Sequence, residues 1–570
     1  MSKRHNVRYQ MVFTLGMAVF CSLSRVCYSE SEVSEESGTM SEEMLLFQEI
    51  PSVYGASKYE QKVTEAPSSI SIITADEIKK YGYRNFAEIL QSIRGFHLTY
   101  DRIYHYLGVR GFGLPRDYNT RVLLLIDGHR TNDNIYDQAM LGTEFPLDID
   151  LIERIEIIRG PGSSLYGSNA FFAVINVITR QGRDFKGFET SGEAGSYETY
   201  KSRFSYGNRF TNGLEMLLSG SYYNSEGHDR LFFKEFDDPN TNNGIAKDLD
   251  YQQLGNFFTK FSLGDFTLQG NYFPRKKGIP TAPWGTAFNE DEFFFDETAW
   301  ADLKFEHIYD DQLGVLARLS YNHYHFEGKY PYLSGTNYSD IVTYRDLSTG
   351  QWLRSEVQIT KTLFDVHKGA VGIDYQYNLQ QDQFNANESI AGGVNLDDRR
   401  NSQYWAVYLQ DEFTITDYLT LNAGVRLDYY DTFGAAVSPH SALILNPFEK
   451  TTFKFIYGRA FRAPNAFELY YNDGSISQKP NPDLNPETID TYELVYEQYL
   501  GKRYRGTIVG FYNSINDLIT LKTDTTDGLL VYENLDTVRA KGIEFEMEAK
   551  WTCGHEGRIS YTLQRGSRKQ

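Results

Sequence analysis

The sequence has little cysteine and no long apolar run. Its 570 residues include three cysteines, and Cys21 and Cys27 lie close to the N-terminus. Only Cys553 remains for the body of the chain, which excludes an intrachain disulfide framework. The absence of an apolar run of about 20 residues excludes membrane-spanning helices. It does not exclude a membrane barrel, because alternating strands average out in a hydropathy window.

An excess of positive charge is also absent. The chain carries 56 Lys and Arg against 76 Asp and Glu, a formal net charge of -20. This balance argues against a nucleic-acid partner, which usually requires a basic face. The eleven histidines are scattered without His-x-x-x-His spacing, and Cys-x-x-Cys is missing. The sequence therefore predicts neither an enzyme nor a bound cofactor.

Aromatic residues and glycine are abundant instead. There are 43 Tyr, 38 Phe and 47 Gly but only 5 Trp and 8 Met. Tyrosine and glycine in such numbers favour strands and turns over helices. Membrane barrels also place aromatic side chains at both interfaces of the bilayer.

The first residues resemble an export signal. Lys3, Arg4 and Arg8 precede an apolar run at 11–23 that is too short to span a bilayer, and small Ser29 follows. A buried N-terminal helix is the alternative interpretation. We predict a signal peptide at 1–29 and, because 30–48 is acidic and rich in serine, a mobile tether over 30–62.

Residues 63–183 have the pattern of a small α+β domain. Thr74 and Glu77 form a capping box that predicts a helix ending at Gly82, and Asn85 and Glu88 repeat the pattern. Strand-like runs follow at 122–127, 152–160 and 173–180. The length is normal for one domain.

Repeated strand hairpins follow from residue 187 to residue 570. In 418–430, apolar and polar residues alternate over twelve positions, and residues 313–321 and 543–550 repeat the pattern. A barrel with lipid outside and a soluble sandwich both produce this alternation. Short turns that alternate with long polar loops, at 225–250, 329–351, 381–402 and 462–489, favour the barrel. The pattern gives 17 or 18 strands.

Several stretches carry a family resemblance. They are SSISIITADEI (68–78), FAEILQSIRGF (86–96), GVRGFG (108–113), VLLLIDGHR (122–130), IERIEIIRGPGSSLYGSNAFFAVINVITR (152–180), FRAPNAFELY (461–470), NPDLNPET (481–488), GFYNSINDLI (510–519) and NLDTVRAKGIEFE (534–546). In this order they resemble the TonB-dependent outer-membrane receptors, a family that includes siderophore, cobalamin and haem receptors. The resemblance implies a monomeric, transmembrane antiparallel β-barrel of the 22-strand type in the outer-membrane lipid, with the α+β domain as a plug in its lumen.

The resemblance also implies a periplasmic partner, TonB, which pairs with a short N-terminal segment by strand addition. Residues 49–57 are best placed for this role, and a plain linker is the alternative. The candidate TonB-binding residues are Glu49, Ile50, Pro51, Ser52, Val53, Tyr54 and Gly55.

Two further sets of residues are candidates for function. Contacts between plug and barrel are expected from charged residues of the plug: Arg110, Glu153, Glu156, Arg159 and Arg180. Ligand contacts are expected from plug loops, in which tyrosine and arginine suit an anionic, aromatic chelate: His97, Tyr100, Arg102, Tyr104, His105, Tyr106, Tyr136 and Asp137. Ordinary solvated loop polarity is the alternative for both sets.

By resemblance, a ferric siderophore is the first choice of cargo. Haem favours an axial histidine, and the loop 465–480 contains none, although His97 and His105 keep this alternative open. If the cargo is cobalamin, the candidate calcium ligands are Asp237, Asp238, Asp248 and Asp250. A solvated acidic loop is the alternative interpretation of these residues. A passive porin or adhesin needs no plug. A soluble carbohydrate-binding or hydrolytic protein is a third class.

The C-terminus departs from the family pattern. The chain ends RGSRKQ instead of in a strand with a terminal aromatic residue, and about four strands of a 22-strand barrel are missing from the count. The expectation is a C-terminally truncated chain whose open barrel inserts poorly, because unpaired strand edges are costly in lipid.

Overall fold

The computed structural model describes residues 52–113, 116–309, 313–334, 340–535, 537–551 and 554–568. A small α+β domain at the N-terminus is followed by a large antiparallel sheet. No helix within these ranges is long and apolar enough to cross a membrane. The predicted signal peptide, residues 30–48 of the tether, and Glu49, Ile50 and Pro51 lie outside the described residues.

The N-terminal domain contains nine strands and four short helices. In chain order they are β1 (Ser52–Val53), β2 (Gln61–Lys62), β3 (Ser69–Thr74), α1 (Ala75–Tyr81), α2 (Phe86–Gln91), β4 (Phe96–Tyr100), β5 (His105–Val109), β6 (Val122–Ile126), β7 (His129–Arg130), β8 (Ile152–Arg159), α3 (Ser163–Tyr166), β9 (Ala173–Thr179) and α4 (Gly182–Phe185). A 3₁₀ turn, Ile149–Leu151, precedes β8.

Both predicted helix starts are confirmed. The Glu77 N–H donates to the Thr74 hydroxyl (3.3 Å), and the Thr74 N–H donates to the Glu77 carboxylate (2.9 Å). Gly82 ends α1 with a φ of 68°, a left-handed conformation that glycine adopts without strain. Asn85 caps α2 by accepting from the Glu88 N–H at 3.0 Å.

The central sheet of the domain has the order β3-β8-β9-β6-β7, in which β6 and β9 are parallel and the other pairs are antiparallel. Its strands are largely buried on both faces, and Leu124, Ile155 and Ile175 are fully buried. Residues 52–62, which precede the domain predicted for 63–183, also pack here: Val53 joins the cluster formed by β6 and β8.

The remaining strands begin at Gly187, where the sequence pattern changes. They are β10 (Gly187–Gly195), β11 (Thr199–Arg209), β12 (Glu215–Ser225), β13 (Arg230–Phe232), β14 (Ile245–Lys247), β15 (Gln252–Leu263), β16 (Phe266–Gly278), β17 (Phe293–Tyr309), β18 (Leu313–Ser334), β19 (Asp340–Leu363), β20 (His367–Asn387), β21 (Val394–Asp398), β22 (Ser402–Thr416), β23 (Leu419–Tyr430), β24 (Gly434–Phe448), β25 (Thr451–Arg462), β26 (Glu487–Leu500), β27 (Tyr504–Asn516), β28 (Leu518–Thr523), β29 (Leu530–Leu535), β30 (Val538–Lys550) and β31 (Glu556–Arg568). One helix, α5 (Ala466–Tyr470), lies between β25 and β26.

Eighteen of these strands form one antiparallel sheet, in agreement with the predicted 17 or 18. Chain neighbours are sheet neighbours, except that β13–β14 and β28–β29 form separate hairpins in the long connections. The short strand β21 pairs with the outer end of β20, while β22 pairs with the rest of it. Among the described residues, β10 and β31 are not paired with each other.

The sheet is apolar on its outer face and packs around the plug with its inner face. In β22, Trp405 and Leu409 are 42% and 58% exposed, whereas Ala406 and Gln410 are buried. A soluble sandwich buries its apolar face, so this arrangement excludes that alternative. Apolar residues outside and polar residues inside are typical of a transmembrane barrel wall.

The two ends of the barrel differ. Tight turns join β22 to β23, β24 to β25 and β26 to β27 at one end, and long connections such as 463–486 lie at the other. The predicted loop 329–351 is wrong over its described residues, because β18 and β19 extend into it and pair from Lys329 with Arg345 to Ser334 with Asp340. With 22, 24 and 21 residues, β18–β20 form a taller side of the wall than β23 and β25, which have 12 each.

Candidate functional site

Buried ion pairs join the plug to the wall near β26 and β30. Arg94 donates to Glu544 (3.2 Å) and Glu546 (3.0 Å), and Arg110 donates to Glu493 (2.5 Å) and Glu544 (3.0 Å). We call these five residues the arginine–glutamate belt. All five side chains are withdrawn from water. Because each charge has opposite-charge partners, burial is tolerated, and loss of one partner is costly.

The other predicted plug–barrel residues lie elsewhere. Arg180 reaches Glu189 of β10 at 3.4 Å, so it does contact the barrel. Glu153 and Glu156 pair with Arg154 inside the plug. Arg159 donates to serine hydroxyls of β3, also inside the plug.

The N-terminal segment 52–58 is folded against the plug and the wall. The N–H groups of Tyr54 and Gly55 donate to Glu156 at 3.2 and 2.9 Å, and the Tyr166 hydroxyl donates to the Gly55 carbonyl at 2.7 Å. Lys58 forms a buried ion pair with Glu356 of β19. The candidate residues Ser52–Gly55 are therefore docked, with Val53 fully buried.

The hairpin of β4 and β5 is fastened to the barrel through its tip. Tyr104 is buried and donates its hydroxyl proton to Asp296 at 2.9 Å. Arg102 donates to Asp250 at 3.0 Å, and Lys277 also donates to Asp250 at 2.8 Å. Tyr104 and Arg102, which were predicted to contact the ligand, thus attach the plug to the barrel beneath the long connections.

The rest of this hairpin is largely engaged within the plug. Tyr106 donates to Asp101 at 2.8 Å, and Tyr100 stacks on the His105 ring with centroids 4.3 Å apart. His97 is exposed on β4. None of these residues lines the polar cavity that lies between the plug and the wall.

That cavity lies between the plug loop 130–137 and the barrel wall, at the end with the long connections. Its volume is about 100 Å³. The plug contributes Arg130, Asn132, Asp133, Asn134, Asp137, Ser168 and Asn169, and the wall contributes Gln376, Asn378, Gln381, Arg400, Asn401, Ser402, Tyr404, Tyr430, Thr432, Ala463, Pro464, Asn465, Ala466, Leu469 and Tyr470. Of the eight predicted ligand residues, only Asp137 belongs to this lining.

Tyr136 lies beside the cavity and positions the loop. Its hydroxyl forms a hydrogen bond with the Ser348 hydroxyl at 2.8 Å, and its carbonyl accepts from the Asn465 side chain at 2.8 Å. Asp137 adopts a left-handed φ of 55°. Burial raises the pKa of Asp137 to about 6, against the nearby Arg130 charge, which lowers it.

Side-chain amides form a connected row along the wall of the cavity. Asn378 accepts from Gln376 (2.9 Å) and from Asn134 (3.2 Å), and it donates to Ser402 (2.8 Å). Ser402 in turn donates to Gln381 at 2.6 Å. Each amide offers both a donor and an acceptor, so the row can exchange these bonds for bonds to a ligand.

The predicted calcium residues are not assembled into a metal site. Among the described ranges, no group of three or more His, Cys, Asp or Glu side chains is arranged to hold an ion. Asp250 is bound by Arg102 and Lys277, and Asp238 accepts from a main-chain N–H of its own turn at 2.8 Å. Asp237 and Asp248 do not join them, because the acidic loop folds into 3₁₀ turns and the β13–β14 hairpin.

Sequence reasoning missed the amide row, Arg94 and Lys58. The row comes from the polar half of the alternating pattern in β20 and β22, and the sequence does not show which of these inward side chains meet the plug. Arg94 lies three residues after the end of α2, where the sequence suggests an ordinary solvated charge. The useful signal was the set of glutamates at alternate positions of β30, which need cationic partners once they face the lumen.

Two family descriptions match the chain. Residues 62–174 match "TonB-dependent Receptor Plug Domain", and residues 250–569, more than half of the chain, match "TonB dependent receptor-like, beta-barrel". The two matches fall on the plug and on the large sheet. A plug that fills the lumen also argues against the passive porin.

Curated relatives and solved structures agree with these matches. An iron-regulated outer membrane virulence protein of Vibrio cholerae is 25% identical over 82% of this chain and 69% of its own length. The vitamin B12 transporter BtuB of Vibrio vulnificus is 25% identical over 78% of this chain and 67% of its own. The ferric enterobactin receptor PfeA of Pseudomonas aeruginosa has a TM-score of 0.66 at 18% identity, over 88% of this chain and 81% of that one. The P. aeruginosa pyoverdine-bound FpvA has a TM-score of 0.67 at 14% identity, over 93% and 74%. With its plug, its lipid-facing strands and these matches, the chain belongs to the TonB-dependent receptors of the outer membrane.

Proposed function

We propose that this receptor imports a ferric siderophore and that TonB supplies the energy for release into the periplasm. The observation that carries the proposal is the polar cavity between the plug loop 130–137 and β20–β23. It faces the long connections, which lie on the outer side in this family, and the plug separates it from the other end of the barrel. A ligand held there is exposed to the outside until the plug rearranges.

The relatives support an iron cargo. The Vibrio cholerae protein is described as iron-regulated, and the structural neighbours include receptors for ferric enterobactin and pyoverdine. The described cavity lining contains no histidine, which argues against haem, because haem iron is commonly held by an axial histidine. Cobalamin remains the second candidate, favoured by the amide-rich lining.

Growth on single iron sources tests the cargo. A strain that lacks this gene and its own siderophores is complemented with the receptor and supplied with one ferric chelate at a time. The expected result is receptor-dependent growth and iron accumulation on at least one chelate. If cyanocobalamin alone supported receptor-dependent growth, measured in a methionine-requiring strain, the cargo would be cobalamin and not iron.

The partner proposal concerns Glu49, Ile50, Pro51, Ser52, Val53, Tyr54 and Gly55. Strand addition uses main-chain hydrogen bonds, and the segment would have to leave its dock on Glu156 and Tyr166 to offer them. Ser52 is exposed and pairs with Lys62 of β2, so it can be changed without opening the core.

Ser52→Pro tests this role. Proline removes the N–H donor, so ligand binding is expected to stay intact while uptake is lost. Ser52→Ala keeps the donor and is the matched control. Normal uptake by the proline variant, with normal levels of protein in the outer membrane, would place the TonB contact elsewhere.

A further inference from the structure

We infer that the cavity selects an electroneutral ligand rich in amide or hydroxamate groups, rather than a polyanionic chelate. This inference rests on the proposed function and narrows its substrate class.

The formal charges of the lining cancel. The ionisable groups, apart from tyrosine, are Arg130, Arg400, Asp133 and Asp137. A trianionic catecholate chelate that enters the cavity must lose water around its charges, and only unmatched cationic groups can compensate for that loss. Above about pH 7, the pKa to which burial raises Asp133, two arginines against two ionised aspartates supply no surplus of positive charge.

The arginines are also already occupied. Arg130 donates to the Ser168 carbonyl at 2.9 Å and to the Asn169 side chain. Arg400 donates to Asp398 at 2.6 Å while its guanidinium lies over the Tyr470 ring at 3.6 Å. The charge of Arg400 is thus paired with Asp398, which lies outside the lining, and Arg130 is bound to plug residues.

The aspartates do not offer an open anionic site for a cation either. The Asp133 carboxylate accepts main-chain N–H groups from Ile135 (2.8 Å), Tyr136 (2.6 Å) and Gln138 (2.9 Å). Asp137 lies near Arg130, and the two charges offset each other above the pKa of about 6 that burial gives this carboxyl. The cavity therefore recognises its ligand through neutral hydrogen bonds.

Those hydrogen bonds come from the row Asn134, Gln376, Asn378 and Gln381, with Ser402. A neutral ligand with several carbonyl and N–H groups can replace the bonds inside the row one for one, so no buried polar group is left without a partner. A ligand with only anionic oxygens leaves the acceptor oxygens of these amides unmatched.

A stack of aromatic rings completes the wall. Tyr430 lies between Tyr404 and Phe433, with ring centroids 4.6 and 4.7 Å apart. Such a surface suits the apolar backbone of a neutral chelate. The shared chemistry has two sources, a neutral trihydroxamate iron chelate and the amide-bearing corrin of cobalamin.

Equilibrium binding to the purified full chain in detergent distinguishes them, with ferrichrome, cyanocobalamin and ferric enterobactin as probes. We expect a neutral probe to bind at least about tenfold more tightly than ferric enterobactin, with little dependence on salt, since screening acts on charges. Ferrichrome binding supports iron as cargo, and cyanocobalamin binding alone supports the neutral ligand but overturns the iron proposal.

Two variants test the physical basis. Gln376→Leu removes one member of the row and should lower the affinity for the neutral probe about tenfold. Gln253→Leu, on the exposed face of β15, is the matched control.

Asp398→Asn releases Arg400 and should raise the affinity for ferric enterobactin several-fold. Asp397→Asn is its control, because Asp397 pairs with Arg399 at 3.0 Å outside the lining.

Tighter binding of ferric enterobactin than of both neutral probes would overturn this inference and leave siderophore import standing. Failure of all three probes to bind, with protein that unfolds cooperatively, would overturn both. An unchanged ferric enterobactin affinity in Asp398→Asn would refute the charge argument.

Discussion

The arginine–glutamate belt and the amide row are two ways of joining the same plug to the same wall. In the belt, the buried side chains of Arg94 and Arg110 face three buried glutamates, and each charge depends on its partners. In the row, Asn134 and Gln376 share neutral hydrogen bonds beside an open cavity.

The difference teaches which part of the interface can move. A buried charge that loses its partner is left uncompensated, so the belt resists opening. An amide that loses its partner next to water finds another at little cost. The plug is therefore held by the belt and left free to exchange contacts at the row.

The largest effect is expected for Arg110→Met. The variant leaves Glu493 without its cation and weakens the pairing of Glu544, so the free energy of unfolding should fall by about 3–5 kcal/mol. Chemical denaturation of purified receptor in detergent measures it. Glu153→Ala, a half-exposed charge of the same plug, should change stability by less than about 0.5 kcal/mol. A loss below about 1 kcal/mol in the arginine variant would mean that the belt does not fix the plug.

A smaller effect is expected at the N-terminal segment. Lys58 lies over the Tyr166 and Tyr408 rings at 4.8 and 4.6 Å and pairs with Glu356. Lys58→Met keeps the aliphatic contact but removes the charge, so local opening of 52–62 should become easier by about 1–3 kcal/mol. Amide hydrogen exchange of this segment is the measurement. Lys62→Met, whose side chain is mostly exposed, is the control. Equal protection in both variants would show that Lys58 does not hold the segment.

The cavity loop should respond to pH. The pKa of Asp137 is about 6, above its ordinary value of 3.8, so the folded state binds this proton more tightly than the unfolded chain. The contribution of Asp137 to the free energy of unfolding is then full below about pH 4 and is lost as the pH rises through about 6.

Asp137→Asn removes that dependence and still suits the left-handed backbone. We expect the variant to match the wild type at pH 4 and to exceed it by about 1–2 kcal/mol at pH 7.5. A constant difference across this range would show that Asp137 keeps an ordinary pKa.

The smallest effect on stability is expected in the amide row. Asn378→Ala should cost less than about 1 kcal/mol of unfolding free energy, because water can replace the lost bonds in the open cavity. Its effect should appear instead in ligand affinity, as a loss of about tenfold. A stability loss as large as that of Arg110→Met would erase the distinction between belt and row.

Much of the fold follows from local pattern. The capping box at Thr74 and the alternation in 418–430 each depend on residues adjacent in sequence, and both are confirmed. The end of a strand in a long polar stretch is harder to predict. Residues 329–351 look like a loop, but pairing between β18 and β19 carries the strands to Ser334 and from Asp340, through a mixed sequence that lacks a clear alternation of apolar and polar residues.

The site depended on contacts between distant parts of the chain. Tyr104 and Arg102 have the chemistry of ligand residues. Each is hydrogen-bonded instead to an aspartate that is distant in sequence, Asp296 and Asp250 respectively. In the sequence, Gln376 and Asn378 look like ordinary inward-facing strand residues. Only the structure shows that they lie beside the plug loop 130–137. No local pattern shows which polar residues of the lumen will meet the plug and which will line the gap.

The unequal height of the barrel wall has a consequence for access. At about 3.3 Å per residue, the 24 residues of β19 extend about 80 Å along the strand, although the hydrocarbon core is only about 30 Å thick. On β18 the outward side chains change from apolar to polar above Tyr321, where His323, His325 and Glu327 follow. The upper halves of β18–β20 thus extend beyond the lipid on one side of the barrel opening. Large molecules that approach from this side meet a paired sheet. Small solutes have their shortest route over the lower rim formed by β22–β27.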